Sequence, residues 1–93
     1  MPETNHLERT LTIPNRFGLH ARPAAEFVKL ANRFRADLWV KKDDLEVNGK
    51  SIMGVMMLAA ECGSQITIRA EGEDAQQALI ELSELVHRGF GEE

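Results

Sequence analysis

Two side chains with chemical reach stand almost together in the segment GLHARPAA, residues 18–25: an imidazole at His20 and a guanidinium at Arg22. Apolar residues follow at Ala24, Phe27, Val28, Ala31 and Phe34, and spacing by three and four predicts an amphipathic helix over 21–34. The opening amides of a helix have no carbonyl partner within it, and with the aligned peptide dipoles they favour an anion. Pro23 has no N–H to lose there and presets φ. His20 therefore falls at or beside the N-cap, with the Arg22 fork in reach of the same mouth. Histidine ordinarily titrates near pH ~6.5, so its ring is largely neutral and nucleophilic in a neutral compartment. A phosphoryl group attached to that ring would meet the free amides, the helix end and the guanidinium. Taken alone, a histidine at a helix start is more often a polar cap or a surface residue.

The remaining elements must hold that mouth in place. Residues 7–13, LERTLTI, alternate, with Leu11 and Ile13 on one face, and predict a half-buried strand. Residues 36–41 alternate through Ala36, Leu38 and Val40. A turn at KDD joins them to LEVN, with Leu45 and Val47 expected inward, as a hairpin. Trp39 then falls on the opposite side of its strand, the open face, where a loop or a second copy could cover it. Ser51 is a favoured N-cap for a helix expected over 52–62, with Gly63 as its C-cap and Cys62 as a small buried filler. QITIRA predicts another strand. Asp74 and Gln77 form a D-x-x-Q capping box before an apolar stripe of Ala75, Ala78, Leu79, Leu82, Leu85 and Val86. The order is βαββαβα, an α+β layer of antiparallel sheet with helices on one face.

The 93 residues suffice for one small domain, 1–93, with residues 1–6 and 91–93 expected to fray. A net charge of −4 with scattered Lys and Arg argues against a nucleic-acid binder. Cys62 is the sole cysteine, which excludes an internal disulfide and suits a reducing cytoplasm. The first residues carry no basic region leading into an apolar run, so no signal peptide is expected, and no stretch is long enough to insert in a membrane. His6 and His87 read as surface residues. No two of the three histidines have i,i+4 spacing, so no metal site is expected, and no cofactor is called for.

The segment GLHARPAAEFVKLANRF, the segment NGKSIMGVMMLAA and the tail GSQITIRAEGEDAQQALIELSELV together resemble the HPr family of histidine-containing phosphocarriers, over residues 7–90. The resemblance implies an open-faced β-sandwich, a four-stranded antiparallel sheet under three helices. It implies a place in the phosphoenolpyruvate-dependent phosphotransferase system, taking phosphate from Enzyme I and passing it to A-type acceptor domains of sugar permeases or their regulatory equivalents. By position, His20 would accept the phosphoryl group through Nδ1 and Arg22 would stabilise it, with Gly18, Leu19, Ala21 and Pro23 matching the surrounding motif. A monomer is expected.

Ser51 occupies the position that a dedicated kinase phosphorylates in some members of that family; otherwise it is simply a capping serine. Ile52, Met53, Met56 and Met57 are too many apolar residues for the buried side of one short helix, so some should be exposed. Ile52, Met53 and Met56, with Phe17 beside the histidine loop, are the expected docking residues, while Val55, Leu58 and Ala59 are expected in the core. Residues 49–51, GKS, invite a nucleotide-loop reading, but the required upstream glycine is Asp44 and no long parallel strand precedes it. Two other readings stay open: a nitrogen-type regulatory relay, and a binding module of the same fold without histidine chemistry. An enzyme acting on a free substrate is disfavoured, because the sequence shows no second acid or base near His20.

Overall fold

The computed structural model describes residues 6–92. Four strands, β1 (His6–Thr12), β2 (Asp37–Lys42), β3 (Leu45–Asn48) and β4 (Gln65–Glu71), form one antiparallel sheet in the order β1-β4-β2-β3. Helices α1 (Ala21–Ala31), α2 (Ile52–Met57) and α3 (Ala75–His87) complete the expected βαββαβα order, and a 3₁₀ turn, Gly89–Gly91, follows. This is an open-faced β-sandwich. Alternation places Leu38, Val40, Ile66, Ile68 and Ala70 in the core, packed with Ala24, Phe27 and Ala31 of α1 and Ala78, Leu82 and Val86 of α3. Removing a fully buried side chain such as Leu82 or Phe27 from such a core costs about 2–5 kcal/mol.

The other face of the sheet lacks helices. Trp39 lies there as expected, and its cover is a neighbouring side chain: in register beside it on β4, Arg69 stacks its guanidinium 4.0 Å from the ring centroid. Glu46 and Glu71 hold that guanidinium at 3.2 and 2.7 Å.

Several expectations change in detail. Helix α1 stops at Ala31 rather than Phe34, because Asn32 caps it with its amide on the Val28 carbonyl. Leu45 is exposed rather than inward, since it sits at the far end of the edge strand, next to the hairpin turn. Helix α2 stops at Met57, five residues early. Ala59 takes the left-handed conformation, φ +49°, that ends it, and is exposed rather than in the core. Gly63 is thereby no cap of α2; its N–H bonds the Ile13 carbonyl at the start of β4. Cys62 lies on the surface in this stretch instead of filling the interior.

Asp74 stands at the N-cap of α3 but does not cap it with its side chain. Its carboxylate instead accepts the amides of Arg35 at 2.9 Å and Ala36 at 2.8 Å, tying the entry of β2 to the entry of α3. Gln77 turns away to Glu81. The amide of Arg35 foremost, then that of Ala36, hold the Asp74 carboxyl below its usual pKa. A lowered folded-state value gives stability that is present above the unfolded value and lost as pH falls through the folded one. Asp74→Ala should therefore lower the thermal midpoint at neutral pH, with the gap to the native protein narrowing as the solution is acidified. A gap that stays constant over the acid range, in parallel melts, would contradict this linkage.

Candidate functional site

The loop before α1 is built on main-chain contacts. Asn15 accepts the Gly18 N–H on its carbonyl oxygen, 3.1 Å, and Gly18 turns with φ +68°. Glycine is required at this point: a Cβ would be driven into the Ala60 carbonyl oxygen and would lie 2.8 Å from the Glu61 Cα. The next amide, Leu19 N–H, bonds that same Ala60 oxygen at 2.8 Å, and the Leu19 side chain is buried. The loop is thus pinned to the segment leaving α2, and His20 follows as the N-cap of α1.

His20 takes an extended backbone, φ −76° and ψ −172°, and its carbonyl accepts the Ala24 N–H at 3.0 Å. Its side chain makes no capping hydrogen bond, so the Ala21 and Arg22 amides are left without that partner. Pro23 is buried in the first turn, where a donor is not missed. Arg22 is exposed and has no ion pair or hydrogen bond among the described residues. The imidazole is itself partly open to solvent, and the Phe17 ring meets it edge-on with centroids 6.0 Å apart. Arg16 stacks on Phe17 at 5.4 Å. His20 and Arg22, the two residues the sequence singled out, therefore both stand in the opening turn of one helix, beside amides that His20 leaves uncapped.

The sequence reading found no carboxylate near His20, and here the structure corrects it. Glu92 places one oxygen 3.1 Å from His20 Nε2 and the other 3.4 Å from it. Residues 91 and 92, where fraying is expected, close the 3₁₀ turn and cap it, with the Glu92 N–H on the Gly89 carbonyl at 2.9 Å. Nothing in the local sequence signals a contact across most of the chain. The one available hint was the Gly-Phe-Gly pattern before the final acidic pair, which suits a sharp return.

The apolar positions expected at the surface are there. Phe17 and Met53 are each 70% exposed, and Ile52 and Met56 are exposed as well. Met57, at 64%, joins them and was not among the expected docking residues. Val55 and Leu58 are buried, as expected. Ser51 caps α2 by accepting the Gly54 N–H at 3.1 Å. The rest of GKS is structural: Gly49 N–H bonds Leu38 O at 2.7 Å, and Lys50 Nζ bonds Phe34 O at 2.7 Å. No helix among the described residues is long and apolar enough to cross a membrane.

Comparison with known proteins places this geometry in context. Residues 7–88 match the family model described as PTS HPr component phosphorylation site. The chain is 44% identical to phosphocarrier protein HPr of Neisseria meningitidis serogroup A, covering 92% of this chain and 97% of that one. It is 54% identical to the HPr-like protein Crh of Bacillus subtilis, over 74% of this chain and 81% of that one. Among solved structures, HPr-C-His from Thermoanaerobacter tengcongensis superposes with a TM-score of 0.90 at 47% identity, covering 94% and 98% of the two chains.

Gly18→Ala should lose about 2–4 kcal/mol of stability, combining left-handed backbone strain with the collision at Ala60. Urea melts measure the loss, and faster exchange of the Leu19 amide should accompany it. A variant as stable as the native protein would show that the pinning is not as tight as the geometry implies.

Proposed function

Since the chain belongs to the HPr family of the phosphotransferase system, we propose that it is a phosphocarrier that takes a phosphoryl group from phosphorylated Enzyme I onto His20 Nδ1 and passes it to A-type acceptor domains. The observation that carries this reading is an exposed imidazole that is the N-cap residue yet leaves the helix amides uncapped. A ring used as a cap would be spent; this one is available.

The chemistry follows from that placement. Phosphoryl transfer depends mainly on positioning and on charge stabilisation. The lone pair of Nδ1 forms the N–P bond while the bond from phosphorus to the donor breaks, and the donor leaves with that electron pair. The phosphoryl oxygens then meet the Ala21 and Arg22 amides, the positive helix end and the Arg22 guanidinium. Stabilisation must stay moderate, because the same bond has to break toward the acceptor. Phe17, Ile52, Met53 and Met56, with Met57, form the apolar surface on which Enzyme I and the acceptor domains dock in turn. Ser51 is the candidate for regulation by a serine kinase and phosphatase: a phosphate there suits the start of α2 but adds negative charge beside that surface. The work is cytoplasmic, and sugar uptake and a nitrogen-type regulatory relay are told apart by which purified acceptor discharges the protein.

Incubation with phosphoenolpyruvate and Enzyme I should add one acid-labile phosphoryl group by mass, and none to His20→Ala. Arg22→Ala should fold normally yet transfer roughly 100-fold more slowly, the scale of losing one preorganised donor to a developing oxyanion. A labelled His20→Ala protein would remove the acceptor assignment, and a native rate in Arg22→Ala would remove the role of the guanidinium.

A further inference from the structure

The carboxylate on His20 is too well held to be an incidental surface contact. Arg88, at the end of α3, is followed by three residues in left-handed conformation, Gly89 (φ +65°), Phe90 (φ +61°) and Gly91 (φ +78°). A phenylalanine resists such a backbone. Phe90 is nevertheless kept there by burying its ring. The two glycines accept the conformation freely, so the chain reverses and delivers Glu92 to the histidine loop.

Asn15 receives it. This side chain is 5% exposed, and its amide nitrogen donates to Gly18 O at 2.8 Å and to Glu92 Oε1 at 3.0 Å. Both targets can only accept, which fixes the amide orientation. Among the described residues the buried Asn15 Oδ1 has no hydrogen-bond partner, a cost that a purely structural asparagine would avoid. One buried amide thus joins the turn that precedes His20 to the carboxylate that touches it. Glu92 Oε2 then lies 3.1 Å from His20 Nε2.

We propose that Glu92, anchored by Asn15, is a positioning residue that keeps the His20 proton on Nε2, so that Nδ1 presents its lone pair, and that it balances the positive charge the ring gains on phosphorylation. A carboxylate accepts only from an N–H, so its partner nitrogen must carry the proton. The neutral ring has one proton, and Nδ1 is then bare. When Nδ1 forms its bond to phosphorus, the Nε2 proton stays where it is and the ring becomes cationic. Glu92 meets that charge on the side of the ring away from the incoming phosphoryl group. The same contact fixes the ring plane, which Phe17 further limits from its edge. This role deepens the phosphocarrier reading and rests on it.

The test uses the full chain with ¹⁵N-labelled histidine. At a pH where the ring is neutral, two-bond ¹H–¹⁵N spectra should place the native His20 proton on Nε2. In Glu92→Ala the pattern should move toward the mixed tautomers of a free histidine. With Enzyme I, Glu92→Ala should lower kcat about tenfold, the scale of one charge-assisted hydrogen bond, with KM little changed. Glu92→Gln, which still offers a carbonyl oxygen but no charge, should keep the tautomer and still lose rate. Unchanged spectra in Glu92→Ala would overturn the tautomer role, and a native kcat in both variants would overturn the charge role. Failure of the native protein to take up any phosphoryl group would instead overturn the relay itself, a result that native spectra with the proton on Nε2 keep distinct.

Discussion

The arrangement at His20 depends on one close approach of backbone to backbone. Gly18 and Leu19 lie against the Ala60 carbonyl, one by having no Cβ and the other by donating its amide. Without this contact the loop before α1 would have no fixed height above the sheet, and the N-cap residue would have no fixed direction. The opposite ends of the same two helices are also tied. Asn32 and Lys50 cross between the end of α1 and the start of α2, through Lys50 O and Phe34 O. Helices α1 and α2 are therefore held at both ends by bonds that use a main-chain atom on at least one side. Such a frame leaves the exposed side chains of α2 free to vary without moving the histidine.

The electrostatics of the site run against those of the whole molecule. The chain is acidic, yet Arg22 and amides uncapped by His20 stand at the opening of α1. A negative patch at this point would repel a phosphoryl group, and the Glu92 carboxylate is placed on Nε2 of the ring, away from Nδ1. For the proposed relay the division is physically sensible: donors at the helix opening would meet the anionic oxygens, and an acceptor would hold the ring proton on Nε2. A stronger cradle, such as a second guanidinium, would hold phosphate longer and slow its release. The balance of one guanidinium and a few amides suits a group that must leave again.

Local chemistry is what the sequence made legible. Alternation located all four strands, and the three-and-four spacing with Pro23 located α1 and its opening residue. Ser51 was readable as a cap because its bond reaches only three residues along the chain. Several of the misreadings come from competition by distant groups. Asp74 had the local pattern of a capping box, but two amides from the entry of β2 satisfied its carboxylate better. Helix α2 looked apolar through Cys62, but the Ala60 carbonyl had to face Leu19, so the chain left the helix at Ala59. Leu45 alternated correctly, yet an edge strand has nothing packed over its end. For Glu92 the Gly-Phe-Gly pattern hinted at a turn but not at its target, because the meeting with His20 also needs a buried asparagine from the other end of the chain.

On the proposed function, docking and chemistry share a wall in this molecule. Phe17 touches the imidazole with its edge and shows most of its surface to solvent, so a partner that buries Phe17 necessarily draws water away from His20. Every charge-assisted contact to the phosphoryl group strengthens as the surroundings become less polar. In the free protein the same contacts would be weakened by solvent, which would limit how firmly phosphate is held between encounters. The methionines suit this use, since an unbranched, polarisable side chain adapts to more than one partner surface. On the proposed function, the exposed apolar residues of α2 would make the relay conditional: the charge-assisted contacts would reach full strength only when a partner that can give or take the phosphoryl group covers the site.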